Sequence, residues 1–161
     1  MKKAVCLISG GLDSTVTAFI AKNKGYDIYT ITFRYGQRHK KEIDSAEKIS
    51  KKINSKKHII FYINLSKFGG SSLLDKKKKI EENKLKDIGK KIPSTYVPAR
   101  NTVFLSIALA YSEVVDADAI FIGVTATDYS GYPDCRPEFI KKKKKMANLA
   151  TKRSIKGKKV E

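Results

Sequence analysis

Apolar runs and amphipathic stretches alternate along this chain. Ala4, Val5, Cys6, Leu7 and Ile8 are continuously apolar and predict a buried strand; the stretch with Val16, Ala18, Phe19 and Ile20 behind it predicts a helix. Residues Ile28 to Phe33 predict a second strand. From His39 to Ile53, the residues Ile43, Ala46, Ile49 and Ile53 share one face of a helix. His58 to Ile63 predicts a third strand. Asn101 to Tyr111 predicts a helix, with Phe104, Ile107, Ala108 and Tyr111 at helical spacing. Ala119 to Val124 predicts a fourth strand and Pro137 to Ala150 a last helix. Leu65 to Pro98 is long and irregular, which is expected of a functional loop or a lid. Strands alternating with helices predict an α/β fold, a doubly wound parallel sheet with helices on both faces. Such sheets take ligands beyond the carboxyl ends of their strands. The polar segments that follow the strands are therefore the candidate site.

The first of these segments carries the most chemistry. Ile8-Ser9-Gly10-Gly11-Leu12-Asp13-Ser14-Thr15 joins the first strand to the first helix. Two glycines let backbone N–H groups approach an anion with no Cβ in the way. The helix N-terminus adds unpaired donors and a partial positive charge. Asp13 and Ser14 stand where a cap is expected. No Lys occupies the Walker position, so this is not a GxxxxGK[ST] loop. The segment resembles the SGGxDS PP-loop of the ATP pyrophosphatase superfamily. That resemblance implies that the loop grips the β,γ-pyrophosphate of ATP and that ATP is split between its α and β phosphates.

Three further segments are candidates. In Arg34-Tyr35-Gly36-Gln37-Arg38-His39, backbone groups and the Tyr35 ring can meet adenine or ribose; a polar strand-to-helix loop is the other reading. Tyr96-Val97-Pro98-Ala99-Arg100-Asn101 opens a helix, with Val97 biased to extended geometry by Pro98. Arg100 suits phosphate oxygens, and Asn101 can cap the helix or bond a ligand. The third, Ala126 to Arg136, is polar and holds two aromatic rings. Tyr129 or Tyr132 can stack on a planar heterocycle, Asp128 or Asp134 can accept from ring N–H groups, and Arg136 can hold a carboxylate. An ordinary turn is the alternative there. Cys6 reads as core, Cys135 as a loop residue and His58 as structural.

Composition narrows the classes. A chain of 161 residues, 41% hydrophobic, suits one domain over 1–161 with a sizeable core. No run of eighteen apolar residues is present, which excludes a membrane-spanning helix from the expectations. The short N-terminal apolar run ends in Gly-Gly rather than a cleavage site, so it does not read as a signal peptide. Two cysteines form no disulfide framework. The cytoplasm is the expected location. Net charge is +18, with lysines clustered at Lys76–Lys79 and Lys141–Lys145. Either this reflects compositional drift over a solvated face or it is a nucleic-acid patch. The lysine runs contain little aromatic interleaving, which argues against nucleic acid as a partner.

Taken together, the segments resemble one family, the 7-cyano-7-deazaguanine synthases of queuosine and archaeosine biosynthesis. The matching pieces are residues 9–15, 35–39, 69–73 (Gly69-Gly70-Ser71-Ser72-Leu73), 96–102 and 128–137 (Asp128-Tyr129-Ser130-Gly131-Tyr132-Pro133-Asp134-Cys135-Arg136-Pro137). The resemblance implies an ATP-dependent ligase. It would convert 7-carboxy-7-deazaguanine and ammonia to the nitrile preQ0 through an adenylated carboxylate and an adenylated amide, with Mg²⁺. Carried onto this sequence, Ser9 to Ser14 would hold pyrophosphate, with Asp13, Ser14 and Arg100 catalytic and Tyr35 and Asn101 at the nucleotide. Asp128, Tyr129, Tyr132, Asp134 and Arg136 would form the deazaguanine pocket. The resemblance also implies a homodimer and a structural Zn²⁺ on four cysteines. With only two cysteines and a last residue at Glu161, the chain reads as C-terminally truncated, with Lys158-Lys159-Val160 starting a further strand. Two other functions remain open: a PP-loop tRNA-modifying enzyme of the thiolation or lysidine type, and an inactive basic nucleic-acid-binding fragment.

Overall fold

The computed structural model of the chain describes residues 1–36, 41–74, 92–124 and 131–161. Its strands are β1 (Lys3–Leu7), β2 (Asp27–Arg34), β3 (Lys57–Tyr62) and β4 (Ala119–Phe121), all parallel, in the spatial order β3-β2-β1-β4. The helices are α1 (Leu12–Asn23), α2 (Lys41–Lys52), α3 (Arg100–Val115), α4 (Pro137–Ala150) and the short α5 (Lys152–Ile155). The chain runs outward from β1 to β3, then returns to place β4 on the other side of β1. The order of the sheet reverses at β1, and that reversal is where a doubly wound sheet opens a crevice.

Side-chain alternation in the strands assigns the helices to faces. Ala4, Cys6 and Ile8 point to one side, where they pack with Ala18 and Ala21 of α1 and Ala46 of α2. Val5 and Leu7 point to the other, with Ile31 and Phe33 of β2, against Phe104 and Ala108 of α3. Phe33 and Phe104 stack at 4.0 Å and 3°. The small residues of α1 and α2 let those helices lie close to the sheet. Ile31 and Ile53 are 0% and 1% exposed, and burial of such a side chain contributes about 1.5–3 kcal/mol. Cys6 belongs to this core, and burial pushes its thiol up to about 12. His58 is structural here: Nδ1 pairs with the Thr30 hydroxyl at 2.8 Å, and burial holds the imidazole below its ordinary value.

α3 carries apolar residues beyond the sheet-facing stripe. Leu105 and Leu109 are buried on a second side, where with Ile140, Ala147 and Val160 they line a small apolar cavity. α4 contributes one buried residue, Ala147, to the interior, and its lysines lie mostly at the surface. The last residues lie alongside β4. Glu161 N–H donates to Asp118 O (2.9 Å) and Ile120 N–H to Glu161 O (2.8 Å), the step of a parallel ladder beside β4. The side chain of Asn148 holds Val160 from both backbone groups, at 2.8 and 2.9 Å. Lys158-Lys159-Val160, expected to start a further strand, is not a strand here, and the pairing beside β4 is confined to Glu161.

Several expected boundaries move. β4 stops at Phe121 rather than Val124, because Gly123 leaves the ladder to meet the first turn of α1. α3 runs four residues further than expected, to Val115. The start of α2 expected at His39 lies outside the described residues, as do Lys76–Lys79. The irregular segment from Leu65 is partly built. A short 3₁₀ turn (Leu65–Phe68) leads into residues 69–74, which pack on 93–98 through Ser72 N–H to Ser94 O (2.9 Å) and the Ser71 hydroxyl to Thr95 O (3.1 Å). Among the described residues, no helix is long and apolar enough to cross a membrane.

At the end of the sheet opposite the crevice, the buried Arg153 guanidinium pairs with Asp116 and Asp118. Asp118 also accepts from Lys3 N–H at 2.8 Å. Burial alone would raise the Asp118 carboxyl, but the Lys3 N–H and the Arg153 charge outweigh it and hold the group below its ordinary 3.8. A depressed carboxylate stabilises the fold above its unfolded pKa, and that contribution fades as pH falls through the folded value. Asp118→Asn is therefore expected to lower unfolding free energy at pH 7 by about 1 kcal/mol. The difference from the parent chain should shrink below pH 3.8. Urea denaturation across pH checks both parts.

Candidate functional site

The segment after β1, the candidate anion cradle, folds as a tight turn into α1. The ladder continues one residue past the strand, with Ile8 N–H donating to Ile31 O at 3.0 Å and the Thr32 hydroxyl to Ile8 O at 2.8 Å. Gly10 then turns the chain at φ +86°, a region that favours glycine. A Cβ there would lie 2.3 Å from Glu42 O, so α2 also presses against the turn. Ser45 donates its hydroxyl to Gly10 O at 3.0 Å and fixes the contact.

α1 starts at once. Its cap residue is Gly11, in extended geometry and with no side-chain cap. This corrects the expectation that Asp13 or Ser14 caps the helix: both lie within it. The Ser14 hydroxyl instead turns inward, accepting from Ser9 N–H (3.2 Å), donating to Gly11 O (3.0 Å) and lying 3.1 Å from the Ser9 hydroxyl. Thr15 donates to the same Gly11 O at 2.7 Å. A helix start has N–H groups without intrahelical acceptors. The start of α1 lies at the carboxyl end of β1, where the positive end of the helix dipole also lies.

A cavity of about 310 Å³ opens at the carboxyl ends of β1, β2 and β4. Ile8, Ser9 and Ser14 line it from the loop, Tyr35 from the end of β2, and Arg100 and Asn101 from the first turn of α3. Segments as far apart in the chain as Leu7 and Gly123 are thereby brought to one space. Arg100 donates to the Tyr35 hydroxyl at 3.3 Å, and its guanidinium stands 5.7 Å from that ring. Phe104 backs the Tyr35 ring edge-on at 5.2 Å. Gly10, Gly11, Leu12, Asp13 and Thr15 belong to the cradle rather than to the cavity wall; Asp13 is exposed in the first turn of α1.

The last candidate segment is placed in part. Asp128 and Tyr129 lie outside the described residues. The Tyr132 hydroxyl is 3.3 Å from that of Thr95, and its ring is 6.0 Å from Tyr96. Asp134 is buried, with Oδ2 accepting from Asn101 N–H at 2.7 Å. Arg136 is exposed and donates Nε to Pro133 O at 3.1 Å. None of Tyr132, Asp134 and Arg136 lines this cavity.

Two site residues have little signature in the sequence. Gly123 sits against the loop: a Cβ would lie 2.8 Å from both Asp13 C and Ser14 N. Its place in an apolar run, Phe121-Ile122-Gly123-Val124, is the available hint, since a strand glycine often marks close backbone approach. Glu42 supplies the cavity's acidic side chain, from the first turn of α2.

A parallel sheet reversing at β1, with an uncapped Gly-Gly loop and helix start at the reversal, defines a doubly wound α/β protein with its candidate site at the switch point. Solved structures share the architecture. A predicted tRNA methyltransferase subunit from Methanocaldococcus jannaschii superposes with a TM-score of 0.54 at 20% identity, over 92% of this chain and 65% of that one. The NH3-dependent NAD synthetase of Campylobacter jejuni gives 0.50 at 16%, over 96% and 68%. At such identities they speak for the fold alone.

Sequence similarity is far closer elsewhere, and the chain belongs to the family of the queuosine biosynthesis protein QueC, whose model matches residues 3–160. Curated relatives named 7-cyano-7-deazaguanine synthase include those of Saccharophagus degradans, 54% identical over 157 residues, and Cellvibrio japonicus, 55% over 156. The alignments cover 98% and 97% of this chain and 68% of each relative.

Gly123→Ala is expected to push back the first turn of α1 and to lower unfolding free energy by about 1–3 kcal/mol. Gly11→Ala, whose Cβ meets only Ser9 Oγ at 3.5 Å, serves as the control. Its loss should stay under about 1 kcal/mol. Urea titration of the two variants separates the effects.

Proposed function

We propose that the chain is an ATP-dependent ligase that makes 7-cyano-7-deazaguanine from 7-carboxy-7-deazaguanine and ammonia, with residues 1–161 as its nucleotide-binding domain. The observation that carries this reading is the convergence of Ser9, Ser14, Arg100 and Asn101 on one cavity at the switch point of the sheet.

The chemistry follows from what these groups can hold. Backbone N–H groups at the start of α1 bind the β- and γ-phosphates, and the hydroxyls of Ser9 and Ser14 shape that cradle. Arg100 reaches the phosphate oxygens, held by Tyr35 at one end and by the start of α3 at the other. The substrate carboxylate oxygen attacks the α-phosphorus and pyrophosphate leaves. Ammonia then attacks the carboxyl carbon, the C–O bond to AMP breaks, and an amide remains. The amide oxygen attacks the α-phosphorus of a second ATP, and a second pyrophosphate leaves. Loss of AMP and of the nitrogen-bound protons leaves the nitrile. The protein's part is to align the reactants, exclude water and stabilise the charge that develops on pyrophosphate.

Among the described residues, no group of three or more His, Cys, Asp and Glu side chains can hold a metal. Mg²⁺ would be carried mainly by the nucleotide phosphates, whose charge it would neutralise, with Asp13 the carboxylate at the loop. A four-thiolate zinc site does not fit the residues present: Cys6 is locked in the core, and Cys135 is the one other cysteine. Tyr132 and Arg136, together with Asp128 and Tyr129, are proposed to contact the heterocycle. The homodimer and the cytoplasmic location belong to this reading; the first rests on the family resemblance, the second on the two cysteines that form no disulfide framework.

Purified chain mixed with ATP, Mg²⁺, ammonium and 7-carboxy-7-deazaguanine should yield the nitrile by mass spectrometry, with AMP and pyrophosphate. Arg100→Ala should slow AMP release by about 100-fold. No product, together with no uptake of magnesium nucleotide by calorimetry, would overturn the reading.

A further inference from the structure

Helix α3 begins in an unusual way. Ala99, the residue before it, is held at φ 52° and ψ 27°, the left-handed region that residues with a Cβ rarely adopt. Such geometry persists only where surrounding contacts over-determine it. Ala99 itself is held locally, its N–H donating to the Tyr96 hydroxyl at 3.0 Å and its carbonyl accepting from Val103 N–H at 3.0 Å; the first turn of the helix behind it is held from far along the chain. Asp134 Oδ2 accepts from Asn101 N–H at 2.7 Å, across 33 residues. Asn101 Nδ2 donates to Asp134 O at 3.4 Å and to Cys135 Sγ at 3.1 Å. Asp134 is 6% exposed and Asn101 7%.

Asp134 therefore supplies the cap that Ala99 has no side chain to provide, and Asn101 returns the bond. The carboxylate also meets the positive end of the α3 dipole. Arg100 and Asn101 both line the cavity of the phosphate loop, and both sit on the backbone that this pair fixes.

We propose that Asp134 is a positioning residue of the nucleotide site: it caps α3 and thereby sets Arg100 and Asn101 at the phosphates, rather than accepting from the heterocycle. The inference rests on the nucleotide-binding reading above. It also links the two halves of the reaction, because Tyr132 and Arg136, proposed to contact the heterocycle, flank the residue that holds the ATP side.

Calorimetry of the full chain with magnesium α,β-methylene-ATP, well below the unfolding temperature, tests this. Asp134→Ala is expected to weaken nucleotide binding about 10-fold or more. Asp134→Asn, whose amide oxygen still accepts from Asn101 N–H, should stay within about 3-fold of the parent chain and bind 7-carboxy-7-deazaguanine unchanged. Should Asp134→Ala not fold, Asp134→Ser, with a shorter acceptor, takes its place with the same expected loss. Two results overturn the proposal on its own. One is a lowered Tm with nucleotide affinity intact, which is a purely structural cap. The other is loss of 7-carboxy-7-deazaguanine by Asp134→Asn with nucleotide affinity intact, which is a direct substrate contact. If the parent chain takes up no nucleotide, the functional reading fails and this proposal falls with it.

Discussion

Backbone meets backbone on two sides of the turn from β1 into α1, and the rest of the site depends on that closeness. On one side Gly10 abuts the Glu42 carbonyl of α2; on the other Gly123, leaving β4, abuts Asp13 and Ser14. Neither contact leaves room for a methyl group. The helix start is thus clamped between the exit of one strand and the entrance of another helix, and its N–H groups are aimed without a side-chain cap. An anion site made of backbone needs this kind of support. Its donors have no rotamers to adjust, so their direction is set by where the chain is held.

A second layer of support reaches the opposite wall. Arg100 and Asn101 come from a helix whose start is held by Asp134. Tyr35 comes from the end of β2, where the ring rests on Phe104 and Phe104 stacks on Phe33. Core and site are continuous here: the aromatic residues that fill the space between α3 and the sheet also shape the cavity. The other end of the sheet is held differently, by Arg153 between Asp116 and Asp118, so the C-terminal residues are pinned to β1 and β4 through charge as well as through the Glu161 pairing. Much of the surplus positive charge stays at the surface, on the Lys141–Lys145 face of α4, where it covers rather than forms the interior. Lys143 is the exception, with Nζ on the Ser106 hydroxyl at 2.8 Å and its ammonium pushed down by burial.

Much of this was legible in the order of residues. The apolar runs at Ala4, Ile28 and His58 are strands within a residue or two; the central β1 and β2 are largely buried, which asks for an apolar run, while the edge strand β3 is read from its β-branched and aromatic residues. Pro137 to Ala150 is the helix its pattern predicts, started by a proline at its first position. Ser9-Gly10-Gly11 announces a close backbone approach because no other residue type permits one. The cap of α1 was not legible. Ser14 has the chemistry of a cap, yet its hydroxyl is drawn into the loop by Ser9 N–H and Gly11 O, and no local rule reports such a preference.

Local pattern by itself determined the strand–helix alternation, the position of the anion loop and the family to which the chain belongs, since each is written in neighbouring residues with fixed chemistry. Only the tertiary structure decided that Gly123 would lie against the loop, that Tyr35, Arg100 and Asn101 would share its cavity, and that Asp134 would turn to α3. Those outcomes depend on the reversal of strand order at β1, which brings together segments distant in sequence. Contacts between such segments leave no periodicity to read, because their partners are chosen by the packed sheet and not by spacing along the chain.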